Sequence, residues 1–598
     1  MAETIAEIVA AHRAGTTTPA ETVARSFARI RERNDGAIFI SLRDEAEAIA
    51  EAAALNIKDA AELPLYGVPV AIKDNIDVAG LPTTAACPAF AFQPARDATV
   101  VAKLRAAGAI VIGKTNLDQF ATGLVGVRSP YGVPKNAMRD DLVPGGSSSG
   151  SAVAVSTGLV PLSLGTDTAG SGRVPAMLNN IVGLKPSLGL ISTAGVLPAC
   201  RTLDCVSIFA LTVDDAATAL QALAGYDEAD AYARRLPLPP LGAFAAPLRL
   251  GVPRQGQLQF FGDAQSQRDY DAALQRFLAL GATAVEFDFA PFEETATLLY
   301  DGPWVAERYL VIRELLKSNP DAVYPVTRGI IEAGAHVSGA EAFAALYRLQ
   351  LLRQRSARVF ESIDAMLLPT APTAYTVADV VADPVTLNSR LGTYTNFVNL
   401  LDLCGLALPA TIRDDGVPFG VTLLAPAGQD TRLATIGRLF HTDTGLAMGA
   451  SGLPQPPLPA LEPQPAADEL ALVVVGAHLS GMALNGELQA LNARLLRATE
   501  TAPDYQLFAL PGSVPPKPGM LRVEAGSGTA IAVEVWALSQ AAFGRFVAAI
   551  PRPLSIGSVR LADGSLAKGF LVEPIAVSGA LDISHYGGWR AFIAATVS

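Results

Sequence analysis

Three short segments of this chain combine a lysine with two serines that glycines flank. They are Val70-Ala71-Ile72-Lys73-Asp74-Asn75, Gly145-Gly146-Ser147-Ser148-Ser149-Gly150 and Gly165-Thr166-Asp167-Thr168-Ala169-Gly170-Ser171-Gly172-Arg173. A serine hydroxyl is a weak nucleophile until a neighbouring base takes its proton, and histidine is the usual base. The five histidines, at positions 12, 336, 441, 478 and 585, all lie outside these segments. The lysine is therefore the candidate base for a serine nucleophile.

Lys73 can act as a base if it is buried. A lysine in a strand usually extends its ammonium group to water and stays charged. Burial disfavours the charged form and lowers the pKa of an amine by up to several units, and a neutral amine can accept a proton. Chemistry alone does not choose among Ser147, Ser148 and Ser149 as its partner.

The loop around Ser171 has the composition of an oxyanion hole. The backbone N–H groups of Thr168, Ala169 and Gly170 can converge on one point, where they would stabilise a developing negative charge. Glycines at positions 170 and 172 allow a tight bend and a close approach of the backbone to a substrate. Asp167 and Arg173 flank this loop, and we predict that they form a structural ion pair.

These motifs resemble those of the amidase signature family. Lys73 is followed by Asp and Asn as in that family, Ser147 is the first serine of a Gly-Gly-Ser-Ser motif, and Ser171 ends a motif close to Gly-Thr-Asp-x-Gly-Gly-Ser, 24 residues further on. The resemblance covers roughly residues 1–450. It implies a Ser–Ser–Lys triad in which Ser171 attacks an amide while Ser147 and Lys73 relay the proton. Two further hallmarks are Gly113-Lys114-Thr115-Asn116 and Gly183-Leu184-Lys185-Pro186.

Within this family the loop is similar to that of the allophanate hydrolases. Ala169 stands where glycine is common and Gly172 where isoleucine is common, and both departures fit that branch. The resemblance implies hydrolysis of the terminal amide of allophanate (urea-1-carboxylate) to ammonia and N-carboxycarbamate, without a metal or organic cofactor. It also implies that Tyr300 and Arg308 bind the substrate carboxylate, because a guanidinium grips carboxylates with paired hydrogen bonds. The alternative is a surface Arg308 paired with Glu307.

Composition limits the other classes of protein. A chain of 598 residues is expected to hold at least two domains. A net charge of −12 argues against nucleic acids and anionic membranes as partners. Four cysteines without a CxxC spacing favour the reducing cytoplasm over a disulfide framework. The uncharged segment 142–166 holds five glycines and two prolines, so we interpret it as a loop and a short buried helix, not a membrane span.

A proline-rich linker divides the chain. Six prolines fall within residues 454–465, which predicts domains at 1–452 and 468–598 with a linker at 453–467. In the first domain short apolar runs alternate with amphipathic helices. This pattern predicts an α/β fold with a mixed sheet sandwiched by helices, as the amidase signature resemblance also implies. The expected strands are 68–72 and 109–112, and the expected helices are 98–107, 151–159, 213–223 and 268–280.

The second domain is predicted to be a small α+β domain. Strands are expected at 470–475, 505–510, 519–523 and 530–536, helices at 486–497 and 539–549, and a hairpin turn at Asp563-Gly564. It resembles the accessory domain of allophanate hydrolases, which is related in fold to γ-glutamyl cyclotransferases. His478, in a glycine-flanked turn after a strand, matches a histidine motif of that domain.

Several alternatives remain open at this stage. The rivals of an allophanate hydrolase are a broad amidase, the glutaminase subunit of a tRNA amidotransferase, and a binding module without activity. The second domain could process N-carboxycarbamate or serve assembly, into a homodimer or a larger complex of pathway enzymes. The sequence does not distinguish urea degradation from s-triazine (cyanuric acid) degradation as the nitrogen pathway.

Overall fold

The computed structural model describes residues 3–597, which form two compact units. The first unit runs to Leu238 and resumes over Arg249–Leu458. The second consists of Pro239–Leu248 and the chain from Pro459 onward. The sequence motifs gave no sign that a segment from the middle of the chain belongs to the second unit.

A mixed sheet forms the centre of the first unit. Among the described residues it has eleven strands in the order β1-β3-β2-β4-β6-β5-β10-β11-β9-β7-β8. Strand β2 lies parallel to both β3 and β4, whereas β4 runs antiparallel to β6. The strands are β1 (Phe39–Leu42), β2 (Pro69–Lys73), β3 (Ile110–Thr115), β4 (Leu162–Asp167), β5 (Val182–Lys185), β6 (Cys205–Ala210), β7 (Leu248–Pro253), β8 (Ala282–Phe287), β9 (Ala365–Pro369), β10 (Leu403–Ile412) and β11 (Pro418–Pro426).

Helices flank this sheet. Helix α5 is uncharged and wholly buried, as expected for a helix inside the fold and not in a membrane. The helices are α1 (Ile5–Arg13), α2 (Pro19–Arg33), α3 (Glu45–Ala53), α4 (Thr99–Ala106), α5 (Ser149–Ser156), α6 (Val174–Leu178), α7 (Val213–Leu223), α8 (Ala264–Ala279), α9 (Ala290–Thr297), α10 (Val305–Ser318), α11 (Pro325–Glu332), α12 (Gly339–Ala357), α13 (Val377–Ala382), α14 (Thr386–Leu391) and α15 (Asp430–Asp443). None of the helices in residues 3–597 is long and apolar enough to cross a membrane.

The predicted fold class is confirmed. The expected strands and helices of the first domain all exist, with ends displaced by one to four residues or, for α7, not at all. The central strands are buried along their whole length because both faces of the sheet are covered, which explains their continuous apolar runs.

The second unit is built on two smaller sheets. Five strands lie in the order β13-β16-β12-β18-β17 and three in the order β15-β14-β19, counted over the described residues. The strands are β12 (Glu469–Val474), β13 (Arg494–Glu500), β14 (Tyr505–Ala509), β15 (Pro518–Arg522), β16 (Ala532–Ser539), β17 (Leu554–Arg560), β18 (Leu566–Val572) and β19 (Leu581–Asp582), and the helices are α16 (Asn485–Ala490), α17 (Gln540–Ala548) and α18 (Trp589–Val597).

The prediction of a helix over 486–497 in the second unit is wrong in part. The helix predicted over 486–497 ends at Ala490, and Arg494–Glu500 forms strand β13. Asn492 turns the chain with a φ of 55°, and β13 then pairs with β16. The helix-favouring composition of the segment is overridden by pairing across the sheet.

Candidate active site

Lys73 ends the buried strand β2, and its side chain is completely buried. Its Nζ lies 2.7 Å from Ser147 Oγ and 2.7 Å from Thr166 Oγ1. Burial lowers the pKa of Lys73 to about 7, although the carboxylates of Asp118, Asp204 and Asp167 oppose this shift. The amine is therefore readily neutral, which is the state that can accept a proton.

Ser147 is the serine of its cluster that contacts the lysine. The hydroxyl of Ser148 donates to the carbonyl of Thr166, and that of Ser149 to the carbonyl of Asn116. The peptide bond between Gly146 and Ser147 is cis. The structure thus distinguishes three serines that the residues themselves left equivalent.

Asp118 supports the segment before Ser147. Its backbone N–H donates to the carbonyl of Ser147 at 3.0 Å, and its carboxylate accepts the backbone N–H groups of Val125, Gly126 and Arg128. A Cβ atom at Gly146 would overlap the carboxylate of Asp118, so glycine is required there. No sequence argument singled out Asp118, because its role depends on contacts that the fold creates.

Ser171 lies on the loop between β4 and α6 and is 3% exposed. Asp167 organises this loop, since its carboxylate accepts the backbone N–H groups of Gly170 and Gly172 at 2.9 and 3.0 Å. It also pairs with Arg173 at 2.9 Å, with both side chains fully buried, as predicted. Burial is the largest single effect on the pKa of Asp167 and raises it. The charge of Arg173 and these hydrogen bonds together outweigh burial, so the pKa of Asp167 is lowered.

The Gly170 amide is thus engaged inside the loop. Three backbone N–H groups are predicted to form the oxyanion hole. That of Gly170 donates to the Asp167 carboxylate, whereas those of Thr168 and Ala169 do not. Gly170 has a φ of 126°, and a Cβ there would overlap the Thr395 side chain, so the loop depends on glycine.

The structure brings Lys73 and Ser147 into direct contact and places the Ser171 loop beside them. A Cβ at Gly145 would lie 2.6 Å from Pro175 Cα, so the segment before Ser147 packs on the start of α6. No hydrogen bond within residues 3–597 joins Ser171 to Ser147 or Lys73. The final link of the relay is therefore a proposal that rests on the adjacency of the two loops.

Arg308 is buried on α10 and is not a surface residue paired with Glu307. Its Nη1 donates to the Ala121 carbonyl at 3.2 Å and to Thr122 Oγ1 at 2.9 Å. Its guanidinium lies 5.7 Å from the centre of the Tyr300 ring. Its positive charge also contributes to the lowered pKa of Lys73, so the guanidinium is within electrostatic reach of the candidate base.

Asp204 is a second buried carboxylate that sequence analysis missed. It accepts hydrogen bonds from the Thr168 hydroxyl at 2.5 Å and from the backbone N–H groups of Ala199 and Cys200. Burial raises its pKa to about 6 against these hydrogen bonds. Its negative charge opposes the lowering of the Lys73 pKa, so the two groups are electrostatically linked.

His478, in the second unit, is packed between aromatic rings. It stacks on Phe570 with ring centres 5.2 Å apart and meets Phe546 edge to face at 5.0 Å. Its Nε2 lies 2.9 Å from a Glu487 carboxylate oxygen. Burial is the main cause that lowers the pKa of His478, although Glu487 acts in the opposite direction.

Comparison with known proteins places the chain in a family. The family profile described as Amidase matches residues 21–434, and the chain belongs to that family. The profile described as Allophanate hydrolase C-terminal domain matches residues 470–594, in the second unit.

Individual relatives agree with this assignment. The chain is 45% identical to urea amidolyase of Saccharomyces cerevisiae over 89% of its own length and 30% of that protein. The chain therefore spans about a third of the urea amidolyases that it matches. The structure of Kluyveromyces lactis allophanate hydrolase is 40% identical, with a TM-score of 0.81 over 99% of both chains. A structure from a vestigial protein complex, described as revealing the origins of an s-triazine catabolic enzyme, is 27% identical, with a TM-score of 0.65 over 74% of this chain and 99% of that one.

Proposed function

We propose that this chain hydrolyses allophanate at its terminal amide. The observation that carries the proposal is the 2.7 Å contact between Lys73 Nζ and Ser147 Oγ in an interior that lowers the lysine pKa to about 7. A neutral Lys73 can take the proton of Ser147 while Ser147 takes that of Ser171. No histidine is needed in this relay.

The reaction follows in two stages. Ser171 Oγ forms a bond to the carbonyl carbon of the terminal amide, and its proton passes through Ser147 to Lys73. The amide nitrogen recovers that proton as its bond to carbon breaks, and ammonia leaves. Water then hydrolyses the acyl-enzyme and releases N-carboxycarbamate, which decays to ammonia and carbon dioxide. The amides of Thr168 and Ala169 are the proposed donors to the tetrahedral oxyanion.

Recognition of the substrate carboxylate is proposed for Tyr300 and Arg308. The contacts of Arg308 Nη1 with Ala121 and Thr122 fix the plane of the guanidinium. A buried, fixed guanidinium suits a planar carboxylate, because the two groups form parallel charge-assisted hydrogen bonds. This feature favours allophanate over an uncharged amide.

Ammonia release by the purified protein tests the proposal. We expect rapid release from allophanate and slow release from simple amides and glutamine. Equal rates on all amides would indicate a broad amidase, and preference for glutamine an amidotransferase glutaminase. Complete inertness would indicate a binding module, although the intact Lys73–Ser147 contact argues against that outcome.

For the second unit two roles are proposed. It processes N-carboxycarbamate through His478, or it assembles the chain into a homodimer or a larger complex with pathway enzymes. The match to the allophanate hydrolase C-terminal domain supports its association with this reaction, whether the pathway degrades urea or s-triazines.

A further inference from the structure

A cavity of about 210 Å³ lies in the first unit, next to the turn that holds Asp204. Three arginines and three aspartates line it, together with threonine side chains and a tyrosine. The chemistry that the cavity offers depends on which of these groups still have unused hydrogen-bonding capacity. The charged lining residues are Arg201, Arg234, Arg353, Asp204, Asp230 and Asp402.

The three carboxylates are already engaged. Both oxygens of Asp402 accept from Arg234 Nη1, at 2.7 and 2.8 Å. Asp230 accepts backbone N–H groups on both oxygens, from Thr193 at 2.7 Å and Tyr232 at 2.9 Å. Asp204 is likewise bound on both oxygens, as described above. Every carboxylate oxygen of the three aspartates thus already accepts at least one hydrogen bond from the protein.

The remaining two arginines, the solvent-exposed Arg201 and the half-buried Arg353, keep N–H donors that no protein group within residues 3–597 uses. Arg353 uses its Nε on the Leu400 carbonyl at 2.8 Å. Within the described part of the chain, neither its terminal nitrogens nor any nitrogen of Arg201 forms a hydrogen bond or an ion pair. Burial lowers the pKa of Arg353, the carboxylate of Asp402 opposes this shift, and the nearby charge of Arg234 adds to it. An anion in the cavity would accept hydrogen bonds from these N–H groups.

One wall of the cavity also contacts the candidate active site. Asp204 binds the hydroxyl of Thr168, on the loop that carries Ser171. Thr202 donates from its backbone and hydroxyl to the Glu307 carboxylate, at 3.0 and 2.5 Å, and Glu307 precedes Arg308 on α10. A ligand held by Arg201 would therefore act on a turn that touches both the oxyanion loop and the carboxylate-binding helix.

We propose that this cavity is a binding site for a small oxyanion of the carbonate or carboxylate class, held by Arg201 and Arg353, whose occupancy changes the rate of amide hydrolysis. This class includes the anionic product of the reaction proposed above; that identification and the coupling to the rate rest on the proposed function, whereas the binding site itself does not.

Calorimetric titration of the full chain tests the binding. The Ser171→Ala protein is titrated with inorganic phosphate and, separately, with bicarbonate, so that no turnover interferes. We expect a saturable site that persists when Arg308→Gln removes the other guanidinium proposed to bind carboxylates, and at least about tenfold weaker binding at it in Arg201→Gln and Arg353→Gln, since each loses a charge-assisted pair. Arg235→Gln is the matched control, because Arg235 is nearby, stacks on Tyr226 and does not line the cavity.

A further variant distinguishes the cavity from the active site. Binding should be unchanged in Arg308→Gln; loss of binding in that variant, or undiminished binding in Arg201→Gln and Arg353→Gln, would overturn the proposed site. Thermal unfolding of each variant checks that it is folded.

The rate effect is measured on an uncharged amide, which does not compete for Arg308. An anion-dependent change of rate should disappear in Arg201→Gln and persist in Arg235→Gln. Binding without any change of rate would refute the coupling. Because the titrations need no activity, they remain informative if the proposed substrate is wrong.

Discussion

At the scale of single residues, the protonation state of Lys73 decides whether the proposed relay can operate. Burial drives the amine toward neutrality, while three buried carboxylates hold part of its positive charge. The result is a pKa of about 7, close to the pH at which a general base is most effective. The proposed base therefore depends on a balance of two effects on its pKa, since stronger carboxylate charges around Lys73 would keep the lysine protonated and unable to accept a proton.

This balance predicts a pH dependence. Because the neutral amine is the base, kcat/KM should rise about tenfold per pH unit below the lysine pKa and level off above about pH 7. Asp204→Asn removes a charge that raises the lysine pKa, so the midpoint should move to lower pH. Asp230→Asn is the control, because Asp230 lies in the same cavity but is not among the main charges acting on Lys73. A flat profile from pH 5.5 to 8.5 would contradict this assignment.

Removing any member of the triad should abolish most of the activity. We expect Lys73→Ala, Ser147→Ala and Ser171→Ala each to lose at least about three orders of magnitude in kcat, with little additivity, because the three groups act as one unit. Single-turnover ammonia release measures this loss. Ser149→Ala, whose hydroxyl has one weak contact at 3.4 Å with a backbone carbonyl, is the matched control and should stay within about tenfold of the parent. Near-normal turnover by Lys73→Ala would refute the relay.

The candidate residues that could be named from the sequence are those within local motifs. Lys73, Ser147 and Ser171 stand in recognisable sequence segments, and the ion pair of Asp167 with Arg173 lies within one loop. Asp118 and Asp204 could not be found in this way. Their carboxylates matter because the fold buries them beside Ser147 and Thr168, and burial and long-range contacts leave no local pattern.

At the scale of elements, α10 connects the proposed carboxylate site to the segments that carry the candidate catalytic residues. Its Arg308 binds the Ala121–Thr122 segment, which follows Asp118, and the preceding Glu307 holds Thr202 in the turn that contains Asp204. A displacement of this helix would therefore affect both the carboxylate site and the two buried aspartates.

The carboxylate-binding role proposed for Arg308 predicts a substrate-dependent defect. In Arg308→Gln, kcat/KM for allophanate should fall at least tenfold, because a charge-assisted pair in a closed site contributes roughly 2–4 kcal/mol. Hydrolysis of an uncharged amide should change much less. Parallel kinetics on both substrates measure the difference.

Glu307→Gln serves as the control on the same helix. Glu307 is partly solvent-exposed and contacts Thr202, not the substrate carboxylate site, so its effect should be small and similar for the two substrates. Equal losses on both substrates in Arg308→Gln would show that Arg308 supports the structure and does not bind the carboxylate.

The helices and strands that could be predicted are those whose periodicity and flanking residues agree with their environment. Helix α7 begins after the capping residue Thr212 and follows the predicted bounds. Strand β13 could not be predicted, because its residues favour a helix. They form a strand only by pairing with β16, which lies far along the chain. The first three residues of β13 are all buried and only the last four alternate in exposure, so the strand lacks the regular two-residue pattern that would reveal it.

At the scale of the whole molecule, the proposed division of labour can be tested by truncation. A protein ending near Gly452 retains Lys73, Ser147, Ser171 and Arg308, so we expect it to release ammonia from allophanate. If the second unit acts through His478, the truncated protein and full-length His478→Ala should both leave N-carboxycarbamate to decay at its spontaneous rate. If it serves assembly, truncation should lower the mass in light scattering and His478→Ala should not.

The result that would contradict this division is a folded but inert truncated protein. Its folding must be checked by thermal unfolding, because truncation removes the partners of Pro239–Leu248. Within the second unit Ala243 donates to the Leu495 carbonyl at 2.8 Å, and Leu241 accepts from Arg494 at 3.3 Å. A truncated protein in which a polar linker also replaces Pro239–Leu248 would separate loss of activity from misfolding.

The membership of Pro239–Leu248 in the second unit has a consequence for synthesis on the ribosome. This segment emerges before residues 249–458, whereas the strands that it joins begin only after Pro459. At about 5–20 residues per second, the wait is roughly 10–40 s. During this time the nascent chain carries Ala243 and Ala245 without the apolar core against which they later pack. The second unit therefore cannot be completed as an independent C-terminal addition, and a gene fusion that moves it elsewhere must carry this early segment with it.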